Sequence, residues 1–161
     1  MGFFTNTDSA QPAGLTALTR ARVEAALQRC DFHYEVDDDG DIFTMFDDGG
    51  YWIVIGGGNE EILTVRGRWR GPLTQSDHLE AMQLANDWNR ERLWPKTYAA
   101  LSESEDVMVF SEFSVDYEPG VSDDQIEQHL RCAIGTSEGF FEVCREHFPE
   151  AAAVYAPDEE E

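Results

Sequence analysis

Positive charge is what this 161-residue chain has least of: 11 Lys and Arg stand against 33 Asp and Glu, for a net charge of −22. A protein that grips a nucleic-acid backbone needs a basic footprint, because neutralising phosphates supplies much of the affinity. The same imbalance repels anionic lipid headgroups. No apolar run approaches the roughly 18 residues of a membrane-crossing helix, and no signal-peptide pattern opens the sequence. Neither nucleic acid nor membrane is therefore expected as a partner. Cysteine is scarce as well. Cys30, Cys132 and Cys144 are odd in number and form no CxxC pair, so neither a disulfide framework nor a zinc site is implied. Cys30 and Cys144 fall on apolar faces of expected helices, where a thiol packs as a small hydrophobe. Buried, reduced thiols point to a cytoplasmic protein.

Catalytic signatures are missing too. His33, His78, His129 and His147 make no HExxH pair, and no serine sits in a GxSxG elbow. Cys30 with His33, and His129 with Cys132, are close in sequence but recruit no third partner. The run Asp37-Asp38-Asp39-Gly40-Asp41 invites a calcium reading, but with Gly40 sixth the twelfth position, which needs an acid, is Phe46. A hairpin turn accounts for it better. Gly56-Gly57-Gly58 lacks the spacing of a phosphate cradle and runs into Asn59-Glu60-Glu61, which would repel a phosphate. No catalytic residue, metal or cofactor is expected, and the chain is not read as an enzyme.

What is present is a core. Hydrophobic residues make up 42% of the chain and aromatics 12%, at the length of one ordinary domain. Helical spacing of Val23, Ala26, Leu27 and Cys30 predicts a first helix from Thr16 or Thr19 to Cys30. A period of two then predicts strands over Phe32–Val36, Ile42–Phe46, Tyr51–Ile55 and Ile62–Arg70, separated by Gly- and Asp-rich turns. The near-continuous apolar run Tyr51–Ile55 reads as a central strand covered on both faces. A second helix starts at Thr74 with its apolar face on Leu79, Met82, Ala85 and Trp88, and ends before Pro95. Strands follow over Thr97–Leu101 and Val107–Val115. A last helix starts at Ser122, with Gln125 at the capping-box position and a stripe from Ile126 to Phe148. The order α-β-β-β(-β)-α-β-β-α reads as α+β, an antiparallel sheet covered by helices on one side. Residues 15–148 form the domain, between a loose arm over 1–14 and an acidic tail over 149–161.

Two clusters stand out as candidate binding residues. Alternation puts Arg66, Arg68 and Arg70 on one face of their strand, with Val65, Gly67 and Trp69 on the other. The row is either an ion-paired, solvated face or a docking strip for an acidic segment or anionic ligand. The second is Asn86-Asp87-Trp88-Asn89. Two asparagines in a helix interior, with no cap to make, suggest bonds to strand backbone, a place in a subunit interface, or contact with a ligand.

Asn86-Asp87-Trp88-Asn89 followed by Pro95, the Val107–Val115 strand, Gly120-Val121-Ser122 at the start of the last helix and its Phe140-Phe141 resemble the YbjN family, described as bacterial sensory transduction regulators. The resemblance spans roughly Thr16 to Phe148. It implies a fold similar to the class I chaperones of type III secretion, a homodimer, and a non-enzymatic module that binds a protein partner, chaperone-like or as a regulatory adaptor. The alternative is a domain that senses a small molecule. The acidity itself is local: residues 35–48 carry seven acids and no base, and residues 150–161 carry five and no base.

Overall fold

The computed structural model describes residues 14–37 and 40–155. The arm expected over 1–14 and the last six residues of the expected tail lie almost entirely outside that range. Thr19, in extended conformation, accepts from the Arg22 N–H and starts α1 (Arg20–Arg29). The strands are β1 (Glu35–Val36), β2 (Ile42–Met45), β3 (Gly49–Gly56) and β4 (Ile62–Trp69). A single 3-10 turn (Gln75–Asp77) leads into α2 (His78–Glu91). Then come β5 (Lys96–Leu101), β6 (Val107–Asp116), the long α3 (Asp123–His147) and the short α4 (Pro149–Ala152). Ser122 and Gln125 close the capping box expected at the start of α3.

The six strands form one antiparallel sheet in the order β1-β2-β3-β4-β6-β5. The fold is α+β. One sheet face supplies Tyr51, Ile53, Leu63, Val65, Trp69, Val109 and Phe113 to a core completed by Val23 and Leu27 of α1 and by Leu130, Phe140 and Phe141 of α3. Gly67 makes room in that layer: a Cβ there would stand 2.6 Å from a ring carbon of Tyr51, its cross-strand neighbour, and 2.5 Å from Ser111 Oγ.

Three expectations are corrected. β3 is not covered on both sides: Tyr51 and Ile53 are buried, but Trp52 is half-buried and Val54 exposed. Its continuous apolar run reflects a greasy outer face rather than a second layer. The apolar face of α2 is rotated from the expected one. Ala81 and Ala85 are buried and Leu84 and Trp88 packed on the core, while Leu79 and Met82 point outward. Small alanines let α2 approach β5, and the Thr97 hydroxyl reaches the Ala85 carbonyl at 2.9 Å. Finally, the chain from Pro149 does not leave the body as a tail. Proline opens α4, Ala152 is buried, and Tyr155 docks against Trp69 at a ring separation of 6.2 Å.

Candidate functional site

The sheet face turned away from the helices carries the arginine row. Along β4, Leu63, Val65, Gly67 and Trp69 are buried, whereas Arg66, Arg68 and Arg70 are exposed, as period-two alternation requires. Register then decides what stands beside each arginine. Phe43, Trp52, Arg66, Glu112 and Lys96 form one row across five strands. Met45, Gly50, Arg68, Phe110 and Tyr98 form the next. The two rows bracket the arginines with aromatics: Phe43 and Trp52 lie 5.2 Å apart on one side, and Tyr98 stacks on Phe110 at 5.2 Å on the other.

The three arginines are not equivalent. Arg66 is spoken for: its Nε and Nη2 donate to Glu112 at 3.1 and 2.9 Å, and Lys96 bonds the same carboxylate. Burial pushes Glu112 up, but the hydrogen bonds from Lys96 and Arg66 outweigh it and hold the carboxyl below its ordinary value. Arg70 donates to the Asp47 carbonyl at 3.2 Å and lies 4.9 Å from the Tyr155 ring centre. The Arg68 guanidinium has neither an ion pair nor a hydrogen bond among the described residues. It stands opposite Gly50, where the missing side chain lets the Phe43 ring lean in, and the result is a groove of about 340 Å³ floored by Gly50 and walled by Phe43, Trp52, Arg68 and Tyr155. A guanidinium flanked by aromatic faces suits an extended segment bearing a carboxylate.

The asparagine cluster lies elsewhere, on the helical side at the β5 edge of the sheet. Asn89 is a structural residue: the Thr97 N–H donates to its Oδ1 at 2.9 Å and its Nδ2 donates to the Thr97 carbonyl at 2.8 Å. Trp88 packs on Phe140 at 5.3 Å, and its indole N–H donates to the Trp94 carbonyl. Asn86 is exposed. Asn89 and the 92–96 segment wall a second groove of about 460 Å³ that reaches Glu112, so the two clusters meet only at the Glu112–Lys96 pair.

Sequence reasoning missed the outward aromatics Phe43, Trp52, Tyr98 and Phe110. Their signal was the period-two alternation that found the arginines, and it was masked in β3 by the unbroken apolar run. It also missed Asp48, an almost fully buried carboxylate in the β2–β3 turn. Asp48 receives the Tyr155 hydroxyl at 2.7 Å and bonds Arg145 of α3, while its own N–H donates to Glu138 at 3.2 Å. Burial pushes Glu138 above the ordinary carboxylate value, and the Tyr51 hydroxyl donates to it at 2.5 Å. Each of these two acids is occupied by structural bonds, and neither lines either groove. Their work is to pin the turn, α3 and Tyr155 together.

Among the described residues, no helix is long and apolar enough to cross a membrane. No curated protein matches the sequence. A solved structure, "Crystal structure of YbjN, a putative transcription regulator from E. coli", superposes with a TM-score of 0.71 over 83% of this chain and 96% of that one, at 12% identity. At that identity the likeness is one of fold. A family model described as "Putative bacterial sensory transduction regulator" matches residues 19–146, from the α1 cap to the end of α3. The family is thus named for regulation and not for an enzymatic reaction, and this chain belongs to it: it is a member of the YbjN family.

Proposed function

We propose that this chain is a non-enzymatic, protein-binding regulatory module that holds an acidic, extended segment of a partner protein on its uncovered sheet face. One observation carries the reading. Arg68 is a solvent-exposed base, without a carboxylate partner among the described residues, set between two aromatic pairs on a protein of net charge −22. An exposed, uncompensated Arg beside half-buried Trp, Phe and Tyr rings has the residue composition enriched at protein interfaces. The acidic remainder of the surface repels partners that dock elsewhere, so charge sets register as well as affinity.

The test is affinity capture from a lysate with three baits: the wild type, Arg68→Glu and Trp52→Ala. The reading expects proteins that the wild type retains and both variants lose at moderate salt. An identical set on all three baits overturns it.

The homodimer implied by the family resemblance has a candidate surface at the other edge. Ladder alternation places the backbone N–H and C=O of Ala99 and Leu101 on the same outer side of β5 as those of Thr97, and Leu101 is exposed. Light scattering at micromolar concentration checks this; the dimer predicts twice the chain mass, and a monomer mass refutes it.

A further inference from the structure

β6 is longer than its edge neighbour. Register pairs Lys96, the first residue of β5, with Glu112, while β6 runs on to Asp116, so residues 113–116 overhang the sheet edge. The ladder bonds fix which way the backbone of the overhang points. The Tyr117 N–H donates to the Glu61 carbonyl, so the odd-numbered residues of β6 bond β4. The Ser102 N–H donates to the Asp106 carbonyl, so the even-numbered ones face β5. Ser114 and Asp116 therefore turn their N–H and C=O groups toward a place where β5 has no residue. Neither backbone takes a hydrogen bond on that side among the described residues. Run back by two, the register would set Trp94 opposite Ser114, but the Trp94 carbonyl is turned to the Trp88 indole N–H at 3.2 Å. What stands there instead is the groove of about 460 Å³ between the 92–96 segment and β6.

We infer that this groove is a strand-addition site for the C-terminal end of a partner polypeptide. The added strand lies end to end with β5, bonds Ser114 and Asp116, and delivers its terminal carboxylate to Arg92 and Lys96. The site is separate from the Arg68 groove and gives this chain a second ligand, chosen by a free chain end.

Three observations select that occupant. The groove is closed at one end. β5 begins at Lys96 behind the buried Pro95, so an inserted strand would collide with it and has to stop there. Charge sets the direction. Lys96 and Arg66 share the single carboxylate of Glu112. The Arg92 guanidinium, 5.5 Å from the Trp88 ring centre, has neither an ion pair nor a hydrogen bond among the described residues. The closed end thus carries surplus positive charge, whereas Asp116 and Glu118 make the open end acidic. A strand antiparallel to β6 enters past those acids and ends at the bases, where its carboxylate is stabilised. A parallel strand would bring that carboxylate to Asp116. Alternation completes the fit. A residue opposite Ser114 points to the open sheet face, and its neighbours point to the helical side. There Trp94, packed on Phe113 at 5.2 Å, and the exposed Leu93 offer an apolar wall. The recognised end is extended, with apolar residues at alternate positions. Asn89 already closes the edge of β5 at Thr97, which confines the addition to the β6 overhang.

The test offers the full chain a pool of synthetic pentapeptides, randomised at the last four positions, with free or amidated C-termini. Retained peptides are identified by mass spectrometry, and the best free acid is titrated into ¹⁵N-labelled protein. Free acids are expected to be retained about tenfold more tightly than the same sequences as amides. Arg92→Gln, a change at an exposed side chain, is expected to remove most of that preference. The Ser114 and Asp116 N–H signals are expected to move on titration. Equal retention of acids and amides overturns carboxylate capture, and retention of neither overturns the site. A preference untouched by Arg92→Gln overturns the role given to that base, and shifts that spare Ser114 overturn strand addition. Arg68→Glu is expected to bind the pool as the wild type does; loss of the peptides there places them on the open face and overturns the edge site. A Ser114 signal that moves with protein concentration before any peptide is added shows a second copy in the groove and overturns the assigned occupant.

Discussion

Asn89 treats Thr97 as a neighbouring strand would, accepting its N–H at 2.9 Å and donating to its carbonyl at 2.8 Å. Thr97 lies on the edge strand β5, where both groups would otherwise face outward. A helix side chain thus closes one position of an open sheet edge and ties α2 to it. Asn89→Ala is expected to cost about 1–2 kcal/mol, since water recovers part of the two lost bonds. Asn89→Asp is expected to lose the donor and place a carboxylate against the Thr97 carbonyl, at similar or greater cost. Urea denaturation of the two variants checks both.

Gly67 supports the inner layer as Asn89 supports the edge. A methyl group there would enter the space of the Tyr51 ring and Ser111 Oγ. Gly67→Ala is expected to destabilise by about 1–3 kcal/mol through overpacking, although alanine suits a strand no worse than glycine. A thermal melt at neutral pH reads the loss, and an unchanged midpoint contradicts the close approach of Tyr51.

Tyr155 closes the body of the protein. Tyr155→Phe keeps the ring against Trp69 and Arg70 but removes the bonds to Asp48 and Trp69 Nε1. A loss of about 1–2 kcal/mol is expected, with Asp48 still held by Arg145. Amide exchange should quicken in α4 and at Arg70 more than in α1, because α1 touches none of these groups.

His129 makes stability fall in mild acid. It is buried in α3 beside the Phe113 ring, with Nδ1 3.1 Å from the Tyr117 hydroxyl and Nε2 without a partner among the described residues. Burial depresses its pKa to about 4. The folded state therefore binds fewer protons than the unfolded chain between the ordinary histidine value and 4, and stability drops as pH falls through that window, by on the order of 3 kcal/mol. Glu138 acts with the opposite sign: burial raises its pKa above the ordinary carboxylate value, so the fold gains stability as the group takes up a proton. Comparison with His129→Phe isolates the histidine. The wild type is expected to lose denaturant resistance between pH 6.5 and 4 relative to the variant; parallel profiles contradict the buried neutral ring.

The arginine row and the caps of α1 and α3 were legible in the sequence because each depends on neighbours two to four residues apart. Thr19, Ser122 with Gln125, and the alternation around Arg66–Arg70 all read locally. The rest depends on register, which local patterns do not carry. That Arg66 meets Glu112 while Arg68 meets Gly50 and Phe110 follows from how β3, β4 and β6 slide past one another. Likewise, Leu79 and Met82 fit an apolar helical stripe as well as Ala81 and Leu84 do, and only the close approach of β5 chooses between them. The bond from Tyr155 to Asp48 joins residues 107 positions apart, beyond any spacing rule.

A partner docked as proposed would sit on the open sheet face at Arg68. The most direct measurement maps backbone and side-chain NMR shifts on this chain as the captured partner, or a peptide from it, is added. Docking on the open face is expected to give changes centred on Phe43, Trp52, Arg68 and Phe110, diminishing with salt. Changes confined to α3 or to the α2–β5 edge, with Arg68 and Trp52 unmoved, would contradict it.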